Sequence, residues 1–139
     1  MYKIGYTTGV FDMFHIGHLN ILRQAKMMCE HLIVGVSTDD LVKEYKHKLP
    51  IIPYEERIEL LRACRYVDEV VPQVNRNKIE AYQRILFDVM FVGDDWRGSK
   101  LFEETETFLR MQGVDVIYFP YTQDISSSIL RERIKKLIL

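Results

Sequence analysis

The chain has 139 residues, of which 47% are hydrophobic and 28% charged, and its formal net charge is −1. This balance predicts one globular domain over residues 1–139 and excludes disorder and a membrane span. Lys and Arg number 19 against 20 Asp and Glu, so the basic excess usual in a nucleic-acid binder is missing. The two cysteines, Cys29 and Cys64, form no disulfide framework, which predicts a cytoplasmic location.

Short apolar runs alternate along the chain with longer amphipathic segments. Runs rich in Val, Ile, Tyr and Phe predict strands at Lys3–Thr7, Leu32–Val36, Glu69–Val71, Val89–Val92 and Val114–Phe119. Helical periodicity predicts helices over His18–Cys29, from a Thr38 cap to about Tyr45, over Tyr54–Ala63, Lys78–Leu86 and Leu101–Met111, and from about Ser126. Strands separated by helices pair in parallel. The pattern therefore predicts an α/β fold, a single Rossmann-like doubly wound domain with a five-stranded parallel sheet and helices on both faces.

Ligands of such sheets bind beyond the carboxyl ends of the strands, so the segments that follow the strands are expected to form the binding site. After the first strand, Gly9 permits a close backbone approach, and His15 and His18 stand three residues apart at a helix start, with Gly17 between them. Helix N-termini attract anions, so two imidazoles there favour a phosphate site. Two solvated histidines, or a metal pair completed by Asp12, are the alternatives.

Three further segments are polar or basic. Asp94, Asp95 and Trp96 follow the fourth strand and suit Mg²⁺ or a sugar and base, although a polar turn anchored by Trp96 is equally compatible. Three serines, Ser126–Ser128, open the last helix; one of them is expected to cap it, and together they suit a polyphosphate. The basic segment Lys43–Pro50 is either a solvated surface or a mobile lid whose lysines close onto phosphates.

The joint placement of these segments carries the functional hypothesis. Three of them, each favourable to anions, fall at one edge of the predicted sheet. We therefore expect the histidine loop and the serine-bearing start of the last helix to converge on one triphosphate pocket.

The motif His15-Ile16-Gly17-His18 behind Gly9-Val10-Phe11-Asp12 resembles the HxGH signature of the nucleotidyltransferase superfamily. Ile125–Ser128, with Arg131 following, resembles the second signature of that superfamily. Arg65–Val70 and Gly93–Trp96 are similar to segments of its cytidylyltransferase branch, in particular the bacterial glycerol-3-phosphate cytidylyltransferases. The resemblance runs over nearly the whole chain in the same order.

The resemblance implies a set of site residues. The implied catalytic residues are His15, His18, Lys46 and Arg65. The implied nucleotide-binding residues are Gly9, Val10, Phe11, Lys48, Asp95, Trp96, Thr122, Ile125, Ser126 and Ser127. The implied contacts of the second substrate are Lys46, Asp12 and Lys78. The resemblance also implies a homodimer that uses CTP with Mg²⁺, the metal being held mainly by the triphosphate rather than by the protein.

The expected reaction transfers CMP from CTP to a phosphorylated small alcohol, such as glycerol 3-phosphate. Its products are a CDP-alcohol and pyrophosphate. Three alternatives remain at this stage: an adenylyltransferase that uses ATP, a nucleotide-binding module without catalysis, and a metal-dependent hydrolase built on His15, His18 and Asp12. The last loop departs from the family pattern, because Tyr121 replaces an arginine and Asp124 a glycine. Val10 likewise stands where threonine is frequent. These departures leave the acceptor open.

Overall fold

The fold is an open parallel sheet whose strand order places one crevice at its centre. The computed structural model describes residues 1–120 and 126–138, and for Asp95 it describes the backbone alone. The strands are β1 (Tyr2–Gly9), β2 (Cys29–Ser37), β3 (Glu69–Gln73), β4 (Val89–Gly93) and β5 (Asp115–Phe119), arranged in the order β3-β2-β1-β4-β5. All neighbouring strands pair in parallel. The chain thus winds outward from β1 in one direction and then in the other, which puts the topological switch point between β1 and β4.

The helices cover both faces of this sheet. They are α1 (Ile16–Lys26), α2 (Asp39–Lys46), α3 (Tyr54–Arg62), α4 (Lys78–Ile85), α5 (Lys100–Met111) and α6 (Ser127–Ile138), with a 3₁₀ turn at Asp94–Trp96. Leu22 of α1 and Leu61 of α3 are buried in one core cluster. Ala81 of α4 and Leu109 of α5 belong to a second cluster on the opposite face. The predicted α/β architecture is therefore confirmed, and no helix within the described ranges is long and apolar enough to span a membrane.

Several boundaries differ from the predicted ones, each for a local reason. The first strand runs on to Gly9 because its pairing with β2 continues to Val36. The helix predicted over His18–Cys29 instead begins at Ile16 and ends at Lys26, and Cys29 already belongs to β2. The third strand extends through Pro72. A proline is tolerated there because β3 is an edge strand with a free side.

Candidate active site

A cavity of about 440 Å³ opens at the carboxyl edge of the sheet, where the topology predicts a ligand site. The histidine loop and the start of α6 both contribute to its lining. The cavity also collects most of the other residues singled out in the sequence: Gly9, Val10, Phe11, Asp12, Lys46, Lys48, Lys78 and Trp96. Since these residues and the start of α6 lie in five separate segments, their convergence is a product of the fold and not of sequence proximity.

The loop between β1 and α1 has a tight, partly left-handed backbone. Phe11 and Met13 both have positive φ, at 55° and 50°. The Phe11 ring folds back over Gly9, where an added Cβ would lie 3.1 Å from that ring. Glycine at this position therefore lets Phe11 pack over the backbone at the end of β1, in the wall of the cavity.

The two histidines form the N-terminal cap of α1. His15 is the N-cap residue, and its Nδ1 accepts a hydrogen bond of 3.1 Å from the Gly17 amide. The Nδ1 of His18 accepts a hydrogen bond of 3.2 Å from the His15 amide. The two rings stack with their centroids 3.8 Å apart. Because each Nδ1 is an acceptor, each proton resides on Nε2, and the hydrogen bonds of the cap use neither Nε2–H group.

Burial keeps this imidazole pair neutral. Desolvation, with a smaller contribution from the neighbouring His15, lowers the pKa of His18 to about 3, and the Asp12 carboxylate offsets only part of this effect. Burial also lowers the pKa of His15. At neutral pH the pair therefore offers uncharged N–H donors beside a helix N-terminus, whose free amides and dipole already favour an anion.

Asp12 joins three segments that are distant in sequence. Its side chain is 3% exposed, and its two carboxylate oxygens accept 2.8 Å hydrogen bonds from the amides of Ile51 and Ile52. Arg131 of α6 forms an ion pair with the same carboxylate. Ser127 Oγ donates to the Asp12 backbone carbonyl at 2.7 Å. Asp12 thus fastens the start of α6 to the histidine loop, while its proposed contact with a substrate stays a prediction.

Arg57 holds the opposite side of the same loop, and sequence analysis did not single it out. The residue is 1% exposed and donates from Nη1 to the carbonyls of Val10 at 2.7 Å and Ser37 at 2.8 Å. Its Nε donates to the Ile52 carbonyl at 2.9 Å, and Nη2 pairs with Asp39 at 2.6 Å. The sequence feature that could have indicated its burial is its position on the apolar face of α3, four residues before the buried Leu61.

Cationic side chains line the cavity on two sides. Lys46, Lys48 and Arg131 lie on the side formed by α2 and α6, whereas Arg76 and Lys78 lie in and after the β3–α4 loop. Partial burial lowers the pKa of Lys46, with further contributions from Arg131 and Lys48. Burial, helped by Arg76, lowers the pKa of Lys78 to about 8. Crowded, desolvated cations of this kind are stabilised by a bound polyanion.

Trp96 combines the two roles considered for it. Its ring packs against Phe102 of α5, with ring centroids 6.1 Å apart, and so anchors the turn that follows β4. The same ring also lines the cavity, and the Lys78 ammonium lies 5.4 Å from its centre. Trp96 therefore fixes the position of a cation in the wall.

Some of the predicted residues do not line the cavity. His15 is one of them, and it stacks on His18, which does line the cavity. Ser126 accepts a hydrogen bond of 3.1 Å from the Ile129 amide and so caps α6, as expected of one of the serines. Arg65 does not line the cavity; it follows α3, leads into the amino end of β3 and packs its guanidinium 5.3 Å from the Tyr66 ring. Its catalytic role stays a prediction. Thr122, Ile125, the departures Tyr121 and Asp124, and the side chain of Asp95 lie outside the described residues.

The donor set expected of a metal-dependent hydrolase is not assembled. Both carboxylate oxygens of Asp12 are taken by backbone amides, and one of them also by Arg131. The Nδ1 atoms of His15 and His18 accept from the backbone. Over residues 1–120 and 126–138, no group of three or more His, Cys, Asp or Glu side chains is placed to hold a metal ion. These contacts favour an anion site over a protein-bound metal centre.

A doubly wound sheet with a cavity at its switch point that is lined by cationic side chains is typical of a nucleotide-binding α/β domain. The cytidylyltransferase-like family matches residues 6–133, and the chain therefore belongs to that family. The resemblance stated from the motifs is thereby confirmed, and the enzyme class is that of a nucleotidyltransferase of the cytidylyltransferase branch.

Individual relatives are similar to this chain over most of its length. The chain is 38% identical over 134 residues to a glycerol-3-phosphate cytidylyltransferase of Bacillus subtilis (strain 168), covering 94% of this chain and 96% of the relative. It is 43% identical over 118 residues to an FAD synthase of Thermococcus kodakarensis, covering 81% and 76% of the two chains. The fold also matches the lipopolysaccharide core biosynthesis protein of Thermoplasma volcanium GSS1, with a TM-score of 0.71, 22% identity and coverage of 88% and 98%.

Proposed function

We propose that the protein transfers CMP from CTP to the phosphate of a small phosphorylated alcohol, with glycerol 3-phosphate as the leading candidate, and releases pyrophosphate. The observation that carries this proposal is the neutral His18 imidazole at a helix N-terminus, with His15 stacked on it, in a cavity that lysines and arginines also line. This arrangement is suited to a triphosphate and a phosphomonoester held side by side. Support for the acceptor comes from the relative named glycerol-3-phosphate cytidylyltransferase, which aligns along almost its full length.

The acceptor phosphate is the nucleophile. A phosphomonoester has a second pKa of about 6, so near neutral pH it is mostly a dianion and needs no general base. One of its oxygens attacks the α-phosphorus in line, the bond to the β-phosphate oxygen breaks, and the electron pair leaves with pyrophosphate. The task of the protein is to hold the two anions together and to stabilise the charge that develops on the transferring group.

Each part of the cavity has a share in that task. The Nε2–H groups of His15 and His18 donate to phosphoryl oxygens, and because both rings are neutral they do so without taking up a proton. Lys46, Lys48 and Lys78 supply the positive charge that allows two anions to approach. The described lining contains a single carboxylate, Asp12, which is already engaged. Mg²⁺ would therefore enter this site with the triphosphate, held mainly by phosphate oxygens, and would neutralise phosphate charge there.

The decisive experiment compares nucleotides and acceptors in one format. Purified protein is given CTP or ATP with Mg²⁺ and either glycerol 3-phosphate, phosphoethanolamine, phosphocholine or no acceptor, and pyrophosphate release is measured. We expect release with CTP only when an acceptor is present, together with a new CDP-linked product. Tight CTP binding without turnover for any acceptor would instead support a non-catalytic nucleotide-binding module.

A second candidate function is adenylyl transfer from ATP. The observation that favours it is the 43% identity to a relative named FAD synthase, because the named product contains adenine rather than cytosine. Pyrophosphate release with ATP but not CTP in the same experiment would replace the cytidylyl proposal with this one.

The pH profile offers an independent check on Lys78. The quantity kcat/KM for the acceptor reports ionisations before the acceptor binds. We expect an acid limb near pH 6, where the acceptor phosphate loses its second charge, and a basic limb near pH 8 or slightly above, where Lys78 loses its proton. The substitution Lys78→Arg keeps the side chain protonated, so it should move the basic limb upward by at least one pH unit. An unmoved basic limb would remove Lys78 from acceptor binding.

A further inference from the structure

The wall formed by the β3–α4 loop is held rigidly by a buried polar network. The Tyr6 hydroxyl of β1 donates to Gln73 Oε1 at 2.5 Å, and Gln73, 3% exposed, donates from Nε2 to the Asn75 carbonyl at 2.6 Å. Asn75 Oδ1 in turn accepts from the Asn77 amide at 2.9 Å. The backbone on either side of Arg76 is therefore fixed to the sheet before any ligand binds.

This anchoring depends on one glycine in β2. The Tyr6 side chain passes over Gly35 to reach Gln73, and a Cβ at position 35 would lie 2.3 Å from the Tyr6 hydroxyl oxygen. The connection from β1 across β2 to the β3–α4 loop is thus part of the fold. It gives the loop a defined position at the rim of the cavity.

Arg76 and Lys78 project from this fixed loop at different depths. The Arg76 guanidinium is exposed at the rim and lies 4.7 Å from the centre of the Tyr45 ring on α2. The Lys78 ammonium is partly buried, next to the Trp96 ring. Within the described part of the chain, neither cation forms an ion pair with a carboxylate. Both positive charges therefore remain available to a ligand in the cavity.

The two walls of the cavity come from opposite faces of the sheet. His18 belongs to α1, on the face that buries Leu22, whereas the β3–α4 loop leads into α4, on the face that buries Ala81. An acceptor whose phosphate meets the α-phosphate beside the histidines, and which spans the cavity, would have its tail at the β3–α4 loop. In that arrangement the partly buried Lys78 lies near the phosphate of the acceptor, and the exposed Arg76 lies near the tail of the acceptor.

Resting on the proposed function, we propose that Arg76 is a specificity-determining residue that faces the tail of the acceptor and selects neutral or anionic tails over cationic ones. A fixed guanidinium stabilises a carboxylate or hydroxyl in its vicinity and repels an ammonium group. The acceptor class is accordingly a phosphorylated polyol or hydroxy acid, and phospho-amino-alcohols are disfavoured.

The test uses three acceptors that differ mainly in tail charge. 3-Phosphoglycerate and glycerol 3-phosphate have almost the same shape and differ in a carboxylate against a hydroxymethyl group, while phosphoethanolamine carries an ammonium. We measure kcat/KM for each with CTP, for the wild type, Arg76→Gln and Arg76→Glu. In Arg76→Glu we expect the ratio of phosphoethanolamine to 3-phosphoglycerate to rise at least tenfold, with Arg76→Gln between the two.

Arg62→Glu is the matched control. Arg62 lies at the end of α3, exposed and outside the cavity, and the substitution changes the net charge by the same amount. We expect it to leave all three ratios unchanged. Equal losses for all three acceptors in Arg76→Glu, or no change in their ratios, would overturn the role of Arg76 while leaving the proposed reaction intact. Absence of pyrophosphate release in the wild type with every acceptor would overturn both.

Discussion

Replacing His18 with asparagine is expected to lower kcat by a factor on the order of 10²–10³, the usual cost of removing one donor that stabilises charge in a transition state. The choice of asparagine follows from the hydrogen bonds of the ring. An asparagine Oδ1 can take over from Nδ1 as acceptor for the His15 amide, so the cap of α1 is kept. The Nε2–H group, which has no counterpart in asparagine, is lost. Steady-state pyrophosphate release at saturating CTP and acceptor gives the value.

The same substitution at His15 tests the second donor. Asparagine is one of the favoured N-cap residues, so His15→Asn should preserve the hydrogen bond from the Gly17 amide and the stability of α1. His31→Asn is the control, because His31 is a surface residue of β2 paired with Glu69 and lies outside the cavity. We expect it to turn over like the wild type. A kcat within threefold of wild type for His15→Asn or His18→Asn, measured on folded protein, would remove that histidine from the mechanism.

The histidine pair could be found from sequence because its geometry is local. An N-cap residue and the residue three positions later are brought together by any helix. The strand pattern likewise predicts a parallel sheet, and with it the edge at which ligands bind. The sequence does not predict that the Nδ1 atom of each ring accepts a backbone hydrogen bond. That contact fixes the tautomer of each histidine, and only the structure shows it.

Long-range contacts account for most of what the sequence did not predict. Asp12 was considered as a substrate or metal contact, but its ion pair with Arg131 joins residues 119 positions apart, and no spacing rule covers such a distance. Arg76 is not among the predicted site residues, because a single arginine in a polar loop does not by itself indicate a binding site. Its significance depends on Tyr6 and Gln73, which lie on different strands and hold that loop in place.

Arg57 is the strongest case of a contact set that only the fold assembles. Its side chain is fully buried. It donates to the carbonyl of Val10 after β1, that of Ser37 at the end of β2 and that of Ile52 before α3. A guanidinium satisfies several acceptors from a single planar group, and neither lysine nor any neutral residue offers the same fork. The histidine loop is thus held by Arg57 through the Val10 carbonyl on one side and by Asp12 on the other.

We therefore expect Arg57→Ala to destabilise the protein by about 3–5 kcal/mol, the largest effect on stability among the substitutions considered. The substitution leaves three carbonyls without their donor and Asp39 without its partner, where the Arg57 side chain is fully buried. The free energy of unfolding follows from urea denaturation monitored by circular dichroism. Arg62→Ala on the same helix is the control, since Arg62 makes only a surface ion pair with Glu59, and we expect a change within about 0.5 kcal/mol. A loss below about 1 kcal/mol for Arg57→Ala would mean that the loop keeps its shape without this residue, and kcat should then also be unaffected.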